Sequence, residues 1–301
     1  MGKKRRQSTM NIAILGTGLM GAAFGERLAA IGDEVILYNR TRSKALALAG
    51  PNVAVADSVT EALSRATHVL PTLSDAPAIE AVLLQPAALA ALPGRTVIQM
   101  GTILPAESEA LAAAVRTGGA DYLEAPVLGS TTEAREGRLI VMVGGTEAQF
   151  QRERILLRRF GSEPRLVGAV GKAAALKLGF NQLIATLTTG FAFTLGLVKC
   201  RGIDVELFME LLRSSALYAP TFDKKLLRML SGDFADPNFP TKHLQKDLSL
   251  VLQEARTLGL RTEPLEGIDA LLKEVIGEGG ADADYSALYS AIHTAKGPPQ
   301  T

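Results

Sequence analysis

One glycine motif constrains the fold of the first half of the chain more than any other feature. Gly16-Thr17-Gly18-Leu19-Met20-Gly21 follows the apolar run 12–15 and opens a segment with a helical pattern. In this setting the first glycine allows a tight turn, the second lets a pyrophosphate approach the backbone, and the third lets the helix pack on the strand. The start of the helix adds N–H donors and a partial positive charge. A glycine-rich turn without a ligand is the alternative. We predict a dinucleotide-binding turn contacted through Gly16, Thr17, Gly18, Leu19 and Met20.

Apolar runs alternate with alanine- and leucine-rich helical segments as far as about residue 165. This alternation is typical of a parallel sheet covered by helices. The predicted strands are 11–15, 34–38, 53–56, 68–73, 96–100, 121–124 and 139–143, and the helices between them are 22–31, 60–66, 76–91 and 106–116. Beyond residue 165 we predict no strand, only helices at 172–200, 204–213, 221–231, 243–257, 264–276 and 285–292.

The predicted fold class is therefore an α/β Rossmann-type domain and an all-α domain joined by a long interdomain helix. The 301 residues fit two domains of ordinary size. We place a disordered tail at residues 1–10 and an NADP-binding Rossmann-type domain at 11–170. An all-helical domain for substrate binding and dimerisation follows at 171–301, and it begins with the long helix 172–200.

Composition excludes several classes of function. Lys and Arg total 32 against 31 Asp and Glu, so no net field attracts nucleic acid. The single cysteine, Cys200, rules out an internal disulfide and fits a reducing compartment, and with three histidines it predicts no metal site. Residues 177–198 are interrupted by Asn181, Gln182 and threonines, so we expect no membrane span. The basic run 3–6 lacks the apolar stretch of a signal peptide, and we expect a cytoplasmic protein.

The end of the second predicted strand bears on the choice of cofactor. NAD-selective sites usually have Asp or Glu there, to accept a hydrogen bond from the ribose 2′-hydroxyl. This chain has Asn39, Arg40 and Thr41, with Lys44 one turn further on. A guanidinium binds phosphate in bidentate fashion, so we predict NADP(H), with a solvated basic turn as the alternative.

Loops that follow other predicted strands belong to the same edge of the sheet. Leu73 and Ser74 follow the fourth strand, and Thr102 follows the fifth. Because ligands of such sheets bind beyond the carboxyl ends of the strands, we expect these residues to line the cofactor site. By position alone each is equally consistent with an ordinary loop.

The predicted long helix carries a lysine and an asparagine on one face. Lys177 and Asn181 are four residues apart, and positions four apart on a helix are neighbours. An ammonium and a carboxamide projecting together suit the binding and protonation of a carbonyl oxygen. A surface Lys–Asn pair is the alternative. The helix is otherwise strongly apolar, which favours a functional lysine or one that reaches the helix edge.

Taken in order, several motifs resemble those of the β-hydroxyacid dehydrogenases. They are GTGLMG, YNRT, LSDAP, MGT, EAPVLGS and GKAAALKLGFN, and the later FPTKHLQKD and DADYS look most like the semialdehyde-reductase branch. The resemblance extends from about residue 11 to residue 293. That family includes 3-hydroxyisobutyrate dehydrogenases and glyoxylate/succinic semialdehyde reductases, and its nucleotide-binding domain is of the 6-phosphogluconate dehydrogenase kind.

The resemblance implies roles for individual residues. Lys177 matches the family's catalytic acid/base, and Asn181 matches the asparagine that orients the substrate. Thr102 and Lys246 match cofactor contacts. The implied substrate-binding residues are Leu128, Gly129, Ser130, Asn181, Phe239 and Asp247. Leu128 departs from the family, which usually has a serine there to hold a substrate carboxylate, so the identity of the substrate is in doubt.

We therefore expect an NADP(H)-dependent oxidoreductase that reduces a small aldehyde or oxo acid, or oxidises the matching hydroxyacid. The family also implies a homodimer or homotetramer. One alternative is an imine reductase-like NADPH enzyme; those proteins typically lack a lysine at the position of Lys177. A second alternative is a non-catalytic NADP-binding module, in which that lysine would be expected to be lost.

Overall fold

The computed structural model describes residues 9–293, so most of the predicted tail (residues 1–10) lies outside the described part. The chain divides into two compact units, residues 1–177 and 178–301. Each unit has its own buried core. The first is a sheet with helices, and the second is helical, so the predicted fold class is confirmed.

The first unit is built on one twisted sheet. Its strand order is β3-β2-β1-β4-β5-β6-β8-β7, and β9 pairs with β8. The strands β1 to β6 are mutually parallel, whereas β8 runs antiparallel to β6 and β7. The strands are β1 (Asn11–Leu15), β2 (Glu34–Tyr38), β3 (Val53–Val55), β4 (His68–Pro71), β5 (Thr96–Gln99), β6 (Asp121–Glu124), β7 (Val127–Leu128), β8 (Ile140–Gly144) and β9 (Arg165–Gly168).

Helices cover both faces of this sheet. They are α1 (Leu19–Ala30), α2 (Arg42–Leu46), α3 (Val59–Ser64), α4 (Ala76–Leu83), α5 (Pro86–Ala91), α6 (Pro105–Thr117), α7 (Thr131–Glu136) and α8 (Glu147–Leu157). Alternate residues of β1 point to opposite faces, so Ile12 and Ile14 join one hydrophobic cluster, and Ala13 and Leu15 join the other. Burial on both faces explains why these strands are almost entirely apolar.

The register of the sheet brings the exits of its central strands together. Leu15 at the end of β1 pairs with Tyr38 of β2 and with Pro71 of β4. Gln99 at the end of β5 pairs with Glu124 of β6. The loops that follow these strands therefore leave the sheet at the same edge.

The second unit consists of helices from residue 178 onward. Its elements are the larger part of α9 (Lys172–Cys200), then α10 (Val205–Ser214), α11 (Thr221–Ser231), α12 (Thr241–Thr257), α13 (Glu263–Gly277), two short 3-10 turns and α14 (Leu288–Ile292). Leu195 and Leu248 are fully buried in it, and the rings of Phe191 and Phe222 stack with centroids 4.7 Å apart. Helix α9 begins in the first unit and continues into the second.

The structure corrects several sequence-based predictions. A strand, β9, does follow residue 164, but it is only four residues long and is not uniformly apolar. The predicted helix 76–91 is two helices, because Pro86 begins α5. The short elements α2, α7 and β7 and the helix α8 were not predicted. Helix α8 is rich in charged residues, and this masks its apolar positions.

Helix α9 bears on the expectation that the chain has no membrane span. The helix is unbroken over 29 residues, and an 18-residue window within it has a mean hydropathy of 1.6, so the helix is long and apolar enough, by length and composition, to cross a membrane. Such values are also typical of a core helix. Asn181 of this helix is buried and hydrogen-bonded to Asp247 of α12, and this favours packing against the other helices of its unit.

Candidate active site

The glycine-rich turn has the shape that a dinucleotide requires. Gly16 has φ +106°, and a Cβ on it would lie 2.7 Å from the carbonyl oxygen of Thr72. A Cβ on Gly21 would overlap the carbonyl oxygen of Gly16. Gly18 precedes α1 in an extended conformation, and no side chain caps that helix. The N–H groups of the first turn are thus directed at the place where a pyrophosphate binds in such folds.

Thr72 holds this turn in place, a role that the sequence analysis did not predict. Its hydroxyl donates to the carbonyl oxygen of Gly16 at 2.7 Å. The N–H of Gly16 in turn donates to the carbonyl oxygen of Tyr38 at 2.8 Å. The turn is therefore fixed from both neighbouring strands.

The loop after β2 presents one arginine to solvent. Asn39 is engaged within the protein, because its Oδ1 accepts from the N–H of Thr17 at 3.2 Å and its Nδ2 donates to the carbonyl oxygen of Thr41 at 2.9 Å. Arg42 is paired with Asp57. Arg40 is exposed and makes no ion pair within the part of the chain that the structure describes. Its guanidinium is available to an anionic ligand.

Lys44 and Thr41 accompany Arg40 at this loop. Thr41 precedes the first residue of α2, and Lys44 lies in its single turn. Both residues are exposed. Asn39 therefore connects the loop to the glycine-rich turn, whereas the exposed Arg40 and Lys44 carry positive charge.

The loops after β4 and β5 lie beside the glycine-rich turn. The Cδ2 atom of Leu73 is 3.0 Å from the point that a Cβ would occupy on Gly16, and the carbonyl oxygen of Leu73 is 3.3 Å from the corresponding point on Gly101. Ser74 and Thr102 belong to these loops, and Thr102 is half-buried. The hydroxyl of Ser74 donates to Asp75, which caps α4. The structure thus brings together the predicted cofactor residues of three loops.

A second group of predicted residues follows β6. Leu128 lies in β7 and is half-buried, and Gly129 has φ +134°. The hydroxyl and the N–H of Ser130 both donate to Oε2 of Glu133 in a capping box at the start of α7. The hydroxyl of Ser130 is thus engaged within the protein, and Leu128 supplies no hydrogen-bond donor.

The second unit contains a polar cluster of two buried residues, Asn181 and Asp247, and the half-buried Lys246. Nδ2 of Asn181 donates to Oδ2 of Asp247 at 2.6 Å, and Nζ of Lys246 lies 2.7 Å from Oδ1 of Asp247. Asn181 is 1% exposed and Asp247 is 3% exposed. A buried carboxylate needs such partners to offset its lost hydration.

The structure shows one partner of the Asn181 carboxamide within the protein. We expected its carboxamide to hold a carbonyl oxygen as a donor. Asp247 engages the amide nitrogen, and Oδ1 of Asn181 has no hydrogen-bond partner within residues 9–293. The second N–H of the amide remains able to donate to a carbonyl oxygen, and Oδ1 of Asn181 is able to accept from a hydroxyl or ammonium group.

Phe239 stands at the edge of an aromatic group in the same unit. Its ring stacks on His243 with centroids 6.4 Å apart and meets Tyr285 edge-on at 5.7 Å. Burial is the main cause that lowers the pKa of His243 below its ordinary value, so the imidazole is neutral at pH 7. A neutral imidazole is a poor proton donor, which argues against His243 as the general acid.

Comparisons with known proteins agree with this geometry. A sequence model for the NAD binding domain of 6-phosphogluconate dehydrogenase matches residues 11–171, and a model for NAD-binding of NADP-dependent 3-hydroxyisobutyrate dehydrogenase matches residues 171–292. The 2-hydroxy-3-oxopropionate reductase of Escherichia coli (strain K12) is 31% identical over 94% of this chain and 97% of that protein. This chain belongs to the β-hydroxyacid dehydrogenase family.

Two further known proteins are similar to this β-hydroxyacid dehydrogenase over nearly its whole length. The chloroplastic glyoxylate/succinic semialdehyde reductase 2 of Arabidopsis thaliana is 29% identical over 96% of this chain and 81% of that protein. The structure of Mycobacterium tuberculosis 3-hydroxyisobutyrate dehydrogenase with L-serine has a TM-score of 0.85 and 24% identity, and it covers 95% of this chain and 100% of that one. At this identity the second likeness shows the fold. The resemblance stated from the sequence motifs is confirmed.

Membership of this family establishes the class of cofactor and the class of substrate. The family consists of NAD(P)-dependent hydroxyacid dehydrogenases and reductases, so the cofactor is a nicotinamide dinucleotide and the substrate a small molecule. The glycine-rich turn of this β-hydroxyacid dehydrogenase fits that cofactor, because Gly18 precedes α1 and a Cβ on Gly18 would meet open space.

Sequence reasoning missed two buried residues beside this site in addition to Thr72. Gln99 is 1% exposed, and its Nε2 has no hydrogen-bond partner among the described residues, although it lies 3.5 Å from the Cβ position of Gly101. Glu124 is also 1% exposed and contacts the start of α9. A polar residue at the end of each apolar strand was the signal available in the sequence.

Proposed function

We propose that this β-hydroxyacid dehydrogenase uses NADP(H) to reduce a small aldehyde or oxo acid, or to oxidise the matching hydroxyacid. The observation that carries the proposal is on α9. Lys177 lies one turn before Asn181, and the buried amide of Asn181 donates a hydrogen bond to Asp247. The relatives named as glyoxylate/succinic semialdehyde and 2-hydroxy-3-oxopropionate reductases support this substrate class.

The proposed preference for NADPH rests on the loop after β2. Arg40 and Lys44 are exposed there, and no acid occupies the position of Asn39. Gly16 to Met20, Leu73, Ser74, Thr102 and Lys246 are the other residues proposed to hold the cofactor. When bound, the nicotinamide exchanges a hydride with the substrate carbon.

Lys177 is proposed as the general acid and base. As an ammonium it donates a proton to the oxygen of the carbonyl group as negative charge develops there, and as an amine it removes that proton in the oxidation. Its positive charge also stabilises the developing alkoxide. Asn181 orients the same oxygen through its remaining N–H group, and Phe239, Asp247 and the loop at Leu128 to Ser130 complete the proposed substrate contacts.

Substitution of Lys177 tests this proposal. Lys177→Ala should lower kcat by at least ~10²-fold, which is the low end for a positioned acid. NADPH binding should be retained, since the glycine-rich turn is intact. Lys177→Arg should not rescue the activity, because a guanidinium does not give up its proton near neutral pH. The measurement is kcat on a panel of aldehydes and oxo acids, including glyoxylate and succinic semialdehyde, together with NADPH titration by fluorescence.

Lys199→Ala is a matched control, because Lys199 is an exposed lysine in the last turn of the same helix. It should leave kcat within about twofold. A Lys177→Ala enzyme that keeps more than about a tenth of the wild-type kcat would contradict the assigned acid. Turnover of cyclic imines in place of every carbonyl compound would favour an imine reductase, and NADPH binding without any turnover would favour a binding module.

We also propose that the protein is a homodimer or homotetramer. The second unit exposes several large apolar side chains, among them Phe193 (64% exposed), Leu211 (62%), Leu217 (79%) and Leu227 (75%). Exposed apolar side chains of this size are suited to an interface, and a second copy of this chain is the proposed cover. Light scattering on the purified protein should give twice or four times 31.8 kDa. A mass of one chain would contradict this proposal.

A cytoplasmic location is proposed from cysteine usage. Cys200 is exposed and free, and a lone exposed thiol suits a reducing compartment. Cell fractionation should recover the protein with cytosolic markers. Recovery with the secreted or the membrane fraction would contradict the proposal.

A further inference from the structure

The first turn of α9 is held by a carboxylate from the sheet. Oε1 of Glu124 accepts hydrogen bonds from the N–H groups of Gly171 at 2.9 Å, Ala173 at 2.8 Å and Ala174 at 3.1 Å. The N–H groups of a first helical turn have no partner inside the helix. Here three of them converge on one charged oxygen, and hydrogen bonds of this kind are about twice as strong as neutral ones.

The other oxygen of Glu124 is also engaged. The hydroxyl of Ser108 donates to Oε2 at 2.5 Å, and the hydroxyl of Tyr122 lies 2.8 Å from that of Ser108. Burial chiefly raises the pKa of Tyr122, so the phenol keeps its proton and donates to Ser108. Donors therefore run from Tyr122 through Ser108 to Glu124, and they fix the carboxylate in one orientation.

The surroundings leave no substitute for this carboxylate. Glu124, Gly171, Ala173 and Ala174 are all buried, so water does not reach the N–H groups. A Cβ on Gly144 of the neighbouring strand would overlap Oε1 of Glu124. The space beside the carboxylate is thus filled by backbone, and loss of the charge would leave buried donors without a comparable acceptor.

The geometry points to Glu124 as the positioning residue for Lys177. Ala173 and Lys177 are one helical turn apart, so a carboxylate that fixes the N–H of Ala173 fixes the backbone from which the Lys177 side chain extends. Glu124 acts through the helix and is not itself a catalytic residue. The inference rests on the proposed role of Lys177 as the general acid. It means that a residue of the sheet determines the position of Lys177.

Hydrogen exchange tests the inference without any assay of activity. Glu124→Gln keeps the shape of the side chain but removes its charge. In this variant the amides of a peptide covering residues 171–180 should exchange about tenfold faster, and peptides from β1 and α1 should be unchanged. Unaltered exchange in 171–180 would overturn the inference, and so would equal acceleration throughout the first unit.

Kinetics separate positioning from general stability. Glu124→Gln should lower kcat about tenfold and leave the KM for NADPH and for the substrate within twofold. In the Lys177→Ala background the same substitution should cause no further loss, because the two residues act through one group. An undiminished tenfold loss in that background would show that Glu124 acts elsewhere.

Two further variants test the role of Glu124 independently. Ser108→Ala keeps the carboxylate and removes one donor to it, so it should lower kcat about two- to fivefold, and it replaces Glu124→Gln if that protein does not fold. Asp204→Asn is the matched control, since Asp204 caps α10 through the N–H of Leu207 at 2.8 Å and that helix carries no proposed site residue. It should leave kcat unchanged; a loss equal to that of Glu124→Gln would overturn the inference.

The outcomes for the inference and for the proposed function are distinguishable. If Lys177→Ala retains activity, the proposed acid is wrong, and the exchange experiment still decides whether Glu124 holds α9. If Lys177→Ala is inactive while Glu124→Gln has the wild-type kcat, the acid stands and the positioning role is wrong.

Discussion

Arg40 allows the sharpest test of cofactor preference. It is exposed after β2 and has no ion-pair partner in the described part of the chain, so Arg40→Ala breaks no internal contact. The free energy of unfolding should therefore change little, as for most surface substitutions. Any loss in the binding of NADPH then reports the contact of the guanidinium with the ligand.

The size of that loss follows from the bond that is removed. A hydrogen bond to a charged group contributes about 1.5–3 kcal/mol, and a tenfold change in Kd corresponds to about 1.4 kcal/mol. Arg40→Ala should thus weaken NADPH binding roughly 10- to 150-fold. NADH lacks the 2′-phosphate, and its Kd should stay within about twofold of the wild-type value.

Fluorescence titration of both cofactors gives the four dissociation constants that are needed. Arg42→Ala is a matched control two residues away, because Arg42 is already paired with Asp57 at 2.6 Å. It should not alter the ratio of the two Kd values. The reasoning fails if Arg40→Ala weakens both cofactors equally, or if the wild-type enzyme uses NADH at a lower KM than NADPH.

Three more predictions concern other parts of the first unit. Leu128→Ser should raise kcat/KM for small carboxylate substrates by restoring a donor, and no change across the panel would show that β7 does not face the substrate. Gly21→Ala should abolish cofactor binding measured by fluorescence, since its Cβ would overlap the carbonyl oxygen of Gly16; retained binding would mean that the turn relaxes. Burial alone would raise the pKa of Glu153, but hydrogen bonds from His68 and Arg152 outweigh it and hold that pKa below its ordinary value. The stability from Glu153 is therefore present above about pH 4.5 and is lost as the pH falls through its lowered folded pKa. Thermal melts should show a smaller drop on acidification in His68→Ala, and an equal drop would contradict this account.

The long, regular features of the fold were predictable from the sequence. The strands β1 and β2 were predicted with the bounds that the structure shows, because burial on both faces makes parallel strands uniformly apolar. Helix α9 was also predicted with the bounds that the structure shows, 172–200. The short strand β9 and the helix α7 were missed, since a handful of residues carries too little periodicity to stand out.

The sequence motifs indicated residues for the candidate site but not the hydrogen bonds that these residues make. The motifs named Asn39 and Asn181, but the structure shows that the amide of each is engaged by its own protein. Thr72 and Glu124 form hydrogen bonds with residues far away in the chain. The spacing of residues along a sequence does not predict such hydrogen bonds. Side-chain orientation depends on the packed neighbours.

The way in which α9 is held has a consequence for recombining members of this family. Glu124 grips main-chain N–H groups, which every residue except proline supplies, so the contact does not depend on the side chains of the incoming helix. A graft of a foreign C-terminal half joined at residue 171, where the two matched sequence models meet, would keep this anchor and would carry Lys177 and Asn181 together. A graft joined at 178 would separate the pair between two parents. The main-chain anchor thus makes residue 171 a suitable junction for exchanging C-terminal halves between members of this family.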